Sequence, residues 1–466
     1  MLFGIILSLC LLIWIAYKGF SVIIFAPLCA LVAAMTAGFD LLPTYSELFM
    51  TNLATYVKNF FPVFLLGAIF GKLMEDSGAA RSVARAIATK LGPQQAIIAT
   101  ILAGAALTYG GISLFVVAFA VYPFAYSLFK EAGYPRRLIP GTIAFGAFGF
   151  TMTAVPGSPQ IQNIIPTAYF HTDAFAAPLF GLTGTVIMFV WAVLWLKYRQ
   201  RKMAAAGEGF GDEDTRTMNT FNDGVPEIPA MLASLPLIAV LVVNFILTQV
   251  IATWDKAIIQ DPAFVKLALV AKAIPVANWA LIIGLIVGIL LTIVLGFAQF
   301  KARRNLQASL NAGAIGSLLA IMNTASEVGY GNIIRAMPGF AQIREFLLSI
   351  DPGTPLISEA LTVNALAGIT GSASGGMSIA LEAMGGRFLE WGAQVGVSPE
   401  LMHRVASMSS GGFDTMPHNG AVITLLAICG MTHKKSYPDI CMTTLICPFA
   451  VTLLLIVVWT IFGIPF

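Results

Sequence analysis

Two polar runs interrupt otherwise apolar stretches of this chain, Thr151-Met-Thr-Ala-Val-Pro-Gly-Ser-Pro-Gln-Ile-Gln-Asn163 and Gly411-Gly-Phe-Asp-Thr-Met-Pro-His-Asn-Gly420. Amides and hydroxyls of this kind bind the hydroxyl groups of a polar solute, and a carboxylate with an imidazole can pass a proton. Pro156 and Pro159 in the first run and Pro417 in the second each remove a backbone donor and break a helix. Carbonyls are thereby freed beside Ser158, Gln160, Gln162 and Asn163, and beside Asp414, Thr415, His418, Asn419 and Thr424. Each run follows a glycine-rich break at one distance: from Gly110 to Pro156 is 46 positions and from Gly371 to Pro417 is 46, an offset of 261 that Ser113 and Ser374 share. Matched interruptions in two halves of a chain point to a transporter's binding site, because irregular backbone is tolerated at membrane depth only where it lines a cavity.

The glycine breaks read Tyr109-Gly-Gly-Ile-Ser113 and Gly371-Ser-Ala-Ser-Gly-Gly376. Glycine lets backbone N–H groups approach a ligand, and a half-helix starting there aims its positive dipole end and unpaired donors inward, which favours an anion. Gly110, Gly111, Ser113, Ser158, Gln160 and Asn163 from the first half, with Ser372, Ser374, Gly375 and Asn419 from the second, are therefore the candidate substrate contacts. The plainer reading is that the glycines allow close helix packing and that the prolines make kinks whose polar neighbours satisfy their own backbone. Asp414 and His418 are four apart, would face each other on a helix, and are candidates for proton coupling together with Glu327. Glu327 has a rough counterpart in Glu75, and each precedes an arginine (Arg335, Arg81), as in an ion pair at a membrane edge. His171, beside Asp173, reads as a solvated loop histidine.

Apolar composition fixes the setting of these residues. With 58% hydrophobic and 11% charged residues and a mean hydropathy of +0.85, the chain is far from the roughly 25% charged of soluble domains, and it reads as an all-α polytopic membrane protein. A net charge of +3 gives a nucleic-acid partner no support. The five cysteines mostly lie in apolar runs without metal or disulfide spacing and read as packing residues. There is no zinc pattern, phosphate loop or nucleophile elbow, so no metal, cofactor or enzymatic activity is assigned; the glycines of 141–149 have neither a preceding strand nor a following Gly-Lys-Ser/Thr.

Spans of roughly 20 apolar residues are sought over 2–17, 20–38, 60–74, 139–169 and 176–196, with a doublet at 95–129 whose arms are short and meet at the first glycine break. After a polar linker at 197–228 the order repeats: 229–251, 274–298, 308–327, a doublet at 355–389, an interrupted span at 401–430, and 440–464. Residues 1–196 and 229–466 are thus expected to be two inverted repeats, each of five transmembrane helices and one re-entrant helical hairpin. A basic interfacial helix at 79–90, with Arg81 and Arg85 one turn apart, precedes the first hairpin, and 333–348 precedes the second. The basic segments 81–90, 130–137, 197–202, 301–304 and 433–435 fall on one side, read as cytoplasmic; 40–47, 170–173, 254–272 and both termini fall outside. The amino-terminal run lacks a basic n-region and cleavage site and reads as a retained first span.

At Tyr109-Gly-Gly-Ile-Ser113, Ala154-Val-Pro-Gly-Ser-Pro-Gln-Ile-Gln-Asn163, Glu327-Val-Gly-Tyr-Gly331, the Gly371–Gly376 tip and Asp414-Thr-Met-Pro-His-Asn-Gly420, the chain resembles the gluconate permease (GntP) family of the ion transporter superfamily, over nearly its whole length. The resemblance implies a secondary transporter of small hydroxylated monocarboxylates such as gluconate, glycerate or 3-hydroxybutyrate, usually proton-coupled. It also implies a bacterial inner-membrane homodimer, with a scaffold and a moving, elevator-type transport domain that holds both hairpins. Linker and tips look closer to the hydroxybutyrate- or citrate-permease-like branch than to gluconate transporters proper. Neither polar run contains an arginine, so a small, singly charged anion fits better than citrate. Sodium coupling, an anion channel and an intramembrane enzyme are the competing readings.

Overall fold

The computed structural model describes residues 2–17, 22–112, 114–211, 227–258, 276–303, 305–349, 353–417 and 419–462. Among these the chain is helical throughout, with no strand. Among the described residues five helices are long and apolar enough to cross a membrane: Leu41–Asp76, Pro178–Ala205, Ala230–Ile251, Asn278–Leu295 and His433–Phe462. A sixth candidate is the pair Ala79–Leu91 and Pro93–Tyr109, bent by 105° at Gly92. Their outer faces are apolar, as lipid requires: Leu179, Leu182, Val186, Val190 and Leu194 form an exposed stripe at helical spacing, and Met231, Leu235, Ile238, Val242 and Phe245 form another.

Two elements are longer than the apolar runs that announce them. Residues 40–47, read as an outside loop, are largely helical, because Pro43 falls in the first turn, where its missing N–H is not needed, and a π-turn over Thr44–Phe49 carries the helix on into Met50–Asp76. The span read at 308–327 extends over Leu306–Ala336. One face packs against Met50–Asp76 and Val22–Thr36, with Gly313 so close to Ile69 that an added Cβ would stand 2.7 Å from the Ile69 Cα, while Ile315, Leu318 and Leu319 are exposed on the other face. The Ser8 hydroxyl meets that of Tyr330 at 2.9 Å and ties the first helix to the same element. The basic residues 433–435 open the helix His433–Ile440.

Around this framework lie four broken elements. The first hairpin is Ala96–Tyr109 followed by Leu114–Glu131, and the second is Pro355–Thr370 followed by Ala373–Val395, whose arms pack so tightly that a Cβ on Gly376 would run into the Ala367 backbone. The first interrupted helix consists of Ile139–Phe148, Phe150–Thr153 and Ile161–Phe170; the second of Pro399–Ser410, a 3-10 turn at Phe413–Thr415, and Gly420–Ile428.

Candidate functional site

Each hairpin tip sits on the break of the interrupted helix that follows it in its own half of the chain. At the first tip, Ala96–Tyr109 ends where Gly111 takes φ +92°, a backbone conformation that side chains disfavour. The Gln160 amide donates to the Thr108 carbonyl at 2.7 Å, which also accepts from Gly111 N at 2.9 Å, and to that of Ile112 at 3.3 Å, while the Tyr109 hydroxyl donates to the Pro156 carbonyl at 2.8 Å. A Cβ at Gly110 would run into the Leu237 side chain, and one at Gly111 would be strained by the positive φ and press on Pro159.

The second tip is built alike. Gly371 closes the first arm in the left-handed region at φ +64°, and the Asn419 amide donates to the Gly371 carbonyl at 2.8 Å and to the Asp414 carbonyl at 2.9 Å. The Asn419 Oδ1 meanwhile accepts from the backbone N–H groups of Ala421 and Val422 and caps Gly420–Ile428. Ser372 caps the second arm by accepting from Gly375 N at 3.1 Å; Ser374 has its hydroxyl 3.5 Å from those of Ser372 and Thr324.

Proline-freed carbonyls at the second break are also taken up by side chains. Thr415 O accepts from the Tyr437 hydroxyl at 3.2 Å, and Pro417 O accepts from His433 Nε2 at 2.9 Å, which fixes the proton of that ring on Nε2. At the first break Asn163 is buried and donates to Ser158 O and Ala174 O, both at 2.8 Å. Ser158 is buried as well, and its hydroxyl accepts from Gln160 N at 3.4 Å. The amides of Gln160, Asn163 and Asn419 thus brace the breaks in this conformation, as the plainer reading of the prolines requires.

An arginine absent from both polar runs joins the two breaks. Arg404, on Pro399–Ser410 and wholly buried, donates to Ala176 O (Nε 3.1 Å, Nη2 2.8 Å), Thr153 O (3.3 Å), Ala174 O (3.3 Å) and Asn163 Oδ1 (2.8 Å). All five guanidinium donors point at protein oxygens. Ser407 adds a bond to Thr153 O at 2.7 Å, and Gly411 lies against the Thr153 side chain, so the interrupted helices cross in contact. His403 is buried beside Arg404, between Thr172 (2.6 Å) and Asn163 (3.4 Å). Sequence patterning misses both residues because they precede the break by two turns in an unbroken helix.

Asp414 lies in a 3-10 turn and the helix resumes at Gly420; its expected partner His418, like Ser113, lies outside the described residues. The expected membrane-edge pairs are not the ones present: Glu75 bonds Lys72 at 3.1 Å, Arg335 bonds Glu382 at 3.2 Å, and Glu327 is buried. Several buried polar atoms remain without a hydrogen-bond partner: Glu327 Oε2, Asp414 Oδ1, Gln162 Oε1, the hydroxyls of Tyr56, Ser378 and Ser409, and both oxygens of Glu359 on the first arm of the second hairpin. Such groups are costly unless a ligand or a proton serves them. Glu359 was not distinguishable in sequence, since it sits in an ordinary helical arm.

A family model described as GntP family permease matches residues 1–462. The chain is 49% identical over 460 residues, 95% of each chain, to the uncharacterized transporter YxjC of Bacillus subtilis. It is 26% identical over 181 residues to an uncharacterized transporter of Haemophilus influenzae, covering 38% of this chain and 39% of that one. In fold it resembles the Alcanivorax borkumensis YdaH transporter, known from a crystal structure, with a TM-score of 0.58 over 91% of this chain and 90% of that chain at 14% identity.

Proposed function

The chain belongs to the GntP family of permeases, and from that premise we propose that it is a proton-coupled symporter that brings a small hydroxylated monocarboxylate into the cytoplasm across a bacterial inner membrane. The observation that carries this reading is the second hairpin tip. Ser372 caps only Gly375 N, which leaves the N–H groups of Ala373 and Ser374 without an acceptor among the described residues, at the positive end of a 23-residue helix and beside two serine hydroxyls. A carboxylate is the ligand such a set accepts. No guanidinium is open to it among the two breaks, since Arg404 is saturated, and this favours one negative charge over three.

Within this proposal the halves 1–196 and 229–466, joined by the linker 197–228, are inverted repeats, and each hairpin with its interrupted helix belongs to a moving transport domain. The long helices Leu41–Asp76 and Leu306–Ala336 belong to the scaffold, and the carrier works as a homodimer with both termini outside. Hydroxyl recognition falls to Gln160, Asn163 and Asn419 only where the carrier's movement releases them from their bracing bonds. Asp414, His418 and Glu327 are the proton-coupling residues, and Asp414 and Glu327 each have an oxygen that no donor among the described residues serves.

Proteoliposome uptake of labelled gluconate, glycerate and 3-hydroxybutyrate, at several pH values with and without sodium, tests the proposal. Uptake driven by an inward proton gradient and abolished by an uncoupler is the expected result. Uptake that follows a sodium gradient and ignores the uncoupler refutes proton coupling, and flux without counterflow of preloaded substrate refutes a carrier.

A further inference from the structure

Glu327 stands where a substrate carboxylate is expected. It projects from the long helix Leu306–Ala336, is 3% exposed, and its Oε2 has no hydrogen-bond partner. The contact it makes is with the first turn of the second hairpin's second arm: a Cβ added to Gly375 would fall on the Glu327 carboxyl group. One turn earlier in the long helix, the Thr324 hydroxyl lies 3.5 Å from that of Ser374. Gly331 packs against Ile379 further along, and Arg335 closes the seam on Glu382. The two helices therefore run side by side in the same direction, and the carboxyl group is delivered to the amino-terminal end of the hairpin arm from a different element.

We propose, building on the carboxylate reading of that tip, that Glu327 is a tethered competitor of the substrate: its carboxylate lies against the first turn of Ala373–Val395 in the empty carrier without a hydrogen bond to the N–H groups there, and a bound substrate carboxylate displaces it. Three features of the site support this. The free N–H groups of Ala373 and Ser374 need an acceptor, and Glu327 is the carboxyl group set against the same turn. Position 375 must lack a side chain for that approach, and it is glycine, although its backbone is ordinary helix and makes no demand for one. Finally, the Tyr56 hydroxyl lies beside Ser378 and in the field of Glu327 without a hydrogen bond to that carboxyl group, so polar atoms border it without locking it in place. Two carboxylates at one helix end repel each other. Substrate and Glu327 thus exclude one another in the ionised form, and hairpin movement follows from exchanging an anion fixed to the scaffold for one that travels with the hairpin.

Two experiments on purified full-length protein test this. In the first, Glu327→Ala empties the site, and acetate should raise the melting temperature of that variant while acetamide, of the same shape without charge, should not; the parent protein should respond to neither. A response to acetate that is equal in variant and parent, or absent from both, overturns the tethered competitor. In the second, Glu327→Gln keeps the shape and removes the charge, and its affinity for gluconate and 3-hydroxybutyrate by calorimetry should rise about tenfold or more, since like charges brought together oppose binding strongly. Unchanged or weaker affinity overturns the competition, and this measurement also serves if the alanine variant fails to fold. Acetate rescue without binding of either hydroxy acid would uphold the anion site while refuting the substrate class on which the proposal rests.

Discussion

Arg404 offers the sharpest test of how the centre is held. Its five hydrogen bonds go to four acceptors, and those acceptors do not depend on it equally. Thr153 O keeps a bond from Ser407, and Ala174 O keeps bonds from Gly157 N and Asn163 Nδ2, both at 2.8 Å. Ala176 O takes two of the five, and Asn163 Oδ1 would be left with only the 3.4 Å contact to His403. Arg404→Met therefore strands two buried acceptors at about 1–3 kcal/mol each, or about 2–6 kcal/mol together. Removing a charge that no carboxylate contacts directly offsets part of that loss. Arg404→Lys keeps the buried charge but replaces a planar five-donor fork with three donors at one point, so it retains the desolvation cost and loses most of the bonds. The lysine variant is thus expected to be at least as destabilised as the methionine variant, with uptake falling in parallel. Thermal unfolding in detergent and uptake from the same preparation would decide it. If lysine preserved both melting temperature and uptake while methionine abolished uptake, the charge and not the fork would be the requirement, and the brace would have to be reinterpreted as an anion-binding arginine.

Gln160→Glu retains size but presents only acceptors to the Thr108 and Ile112 carbonyls, so a loss of about 1–3 kcal/mol is expected in thermal unfolding, with the Michaelis constant of uptake changed less than the maximal rate; a Michaelis constant that rises at unaltered stability would mark Gln160 as a direct ligand. Gly376→Ala drives a methyl into the Ala367 backbone, which cannot swing aside as a side chain can, and about 1–3 kcal/mol should be lost. Gly386→Ala, on the same arm with open space around it, should be neutral or slightly stabilising, and equal melting temperatures for the two variants would contradict the close packing of the hairpin arms.

A common principle underlies both breaks. A helix interrupted inside a membrane must find partners for the backbone groups it exposes, and here the chain supplies several from its own side chains: Gln160 and Tyr109 at the first, Asn419, Tyr437 and His433 at the second. At the positive end of Ala373–Val395, with Glu327 against it, the N–H groups of Ala373 and Ser374 remain open among the described residues.

The sequence by itself determined the class and the interruptions. An apolar chain with 11% charged residues has no soluble alternative, and glycine and proline act through the local backbone, so the helices break at 110–112, 154–160, 371–372 and 411–419, where those residues cluster. Likewise the polar character of 323–327 and 414–420 was plain in the composition of those short runs. What only the tertiary structure decided is which partner each polar group meets. Asn163 reads as a ligand until Arg404, 241 positions away, is found on its oxygen. Glu327 reads as half of an ion pair with Arg335 until Arg335 is found on Glu382 and Glu327 against Gly375. Hydrogen bonds between elements carry no local signature, because a side chain's donors and acceptors are the same whether they face a neighbouring helix or a solute; only packing fixes which of the two they face.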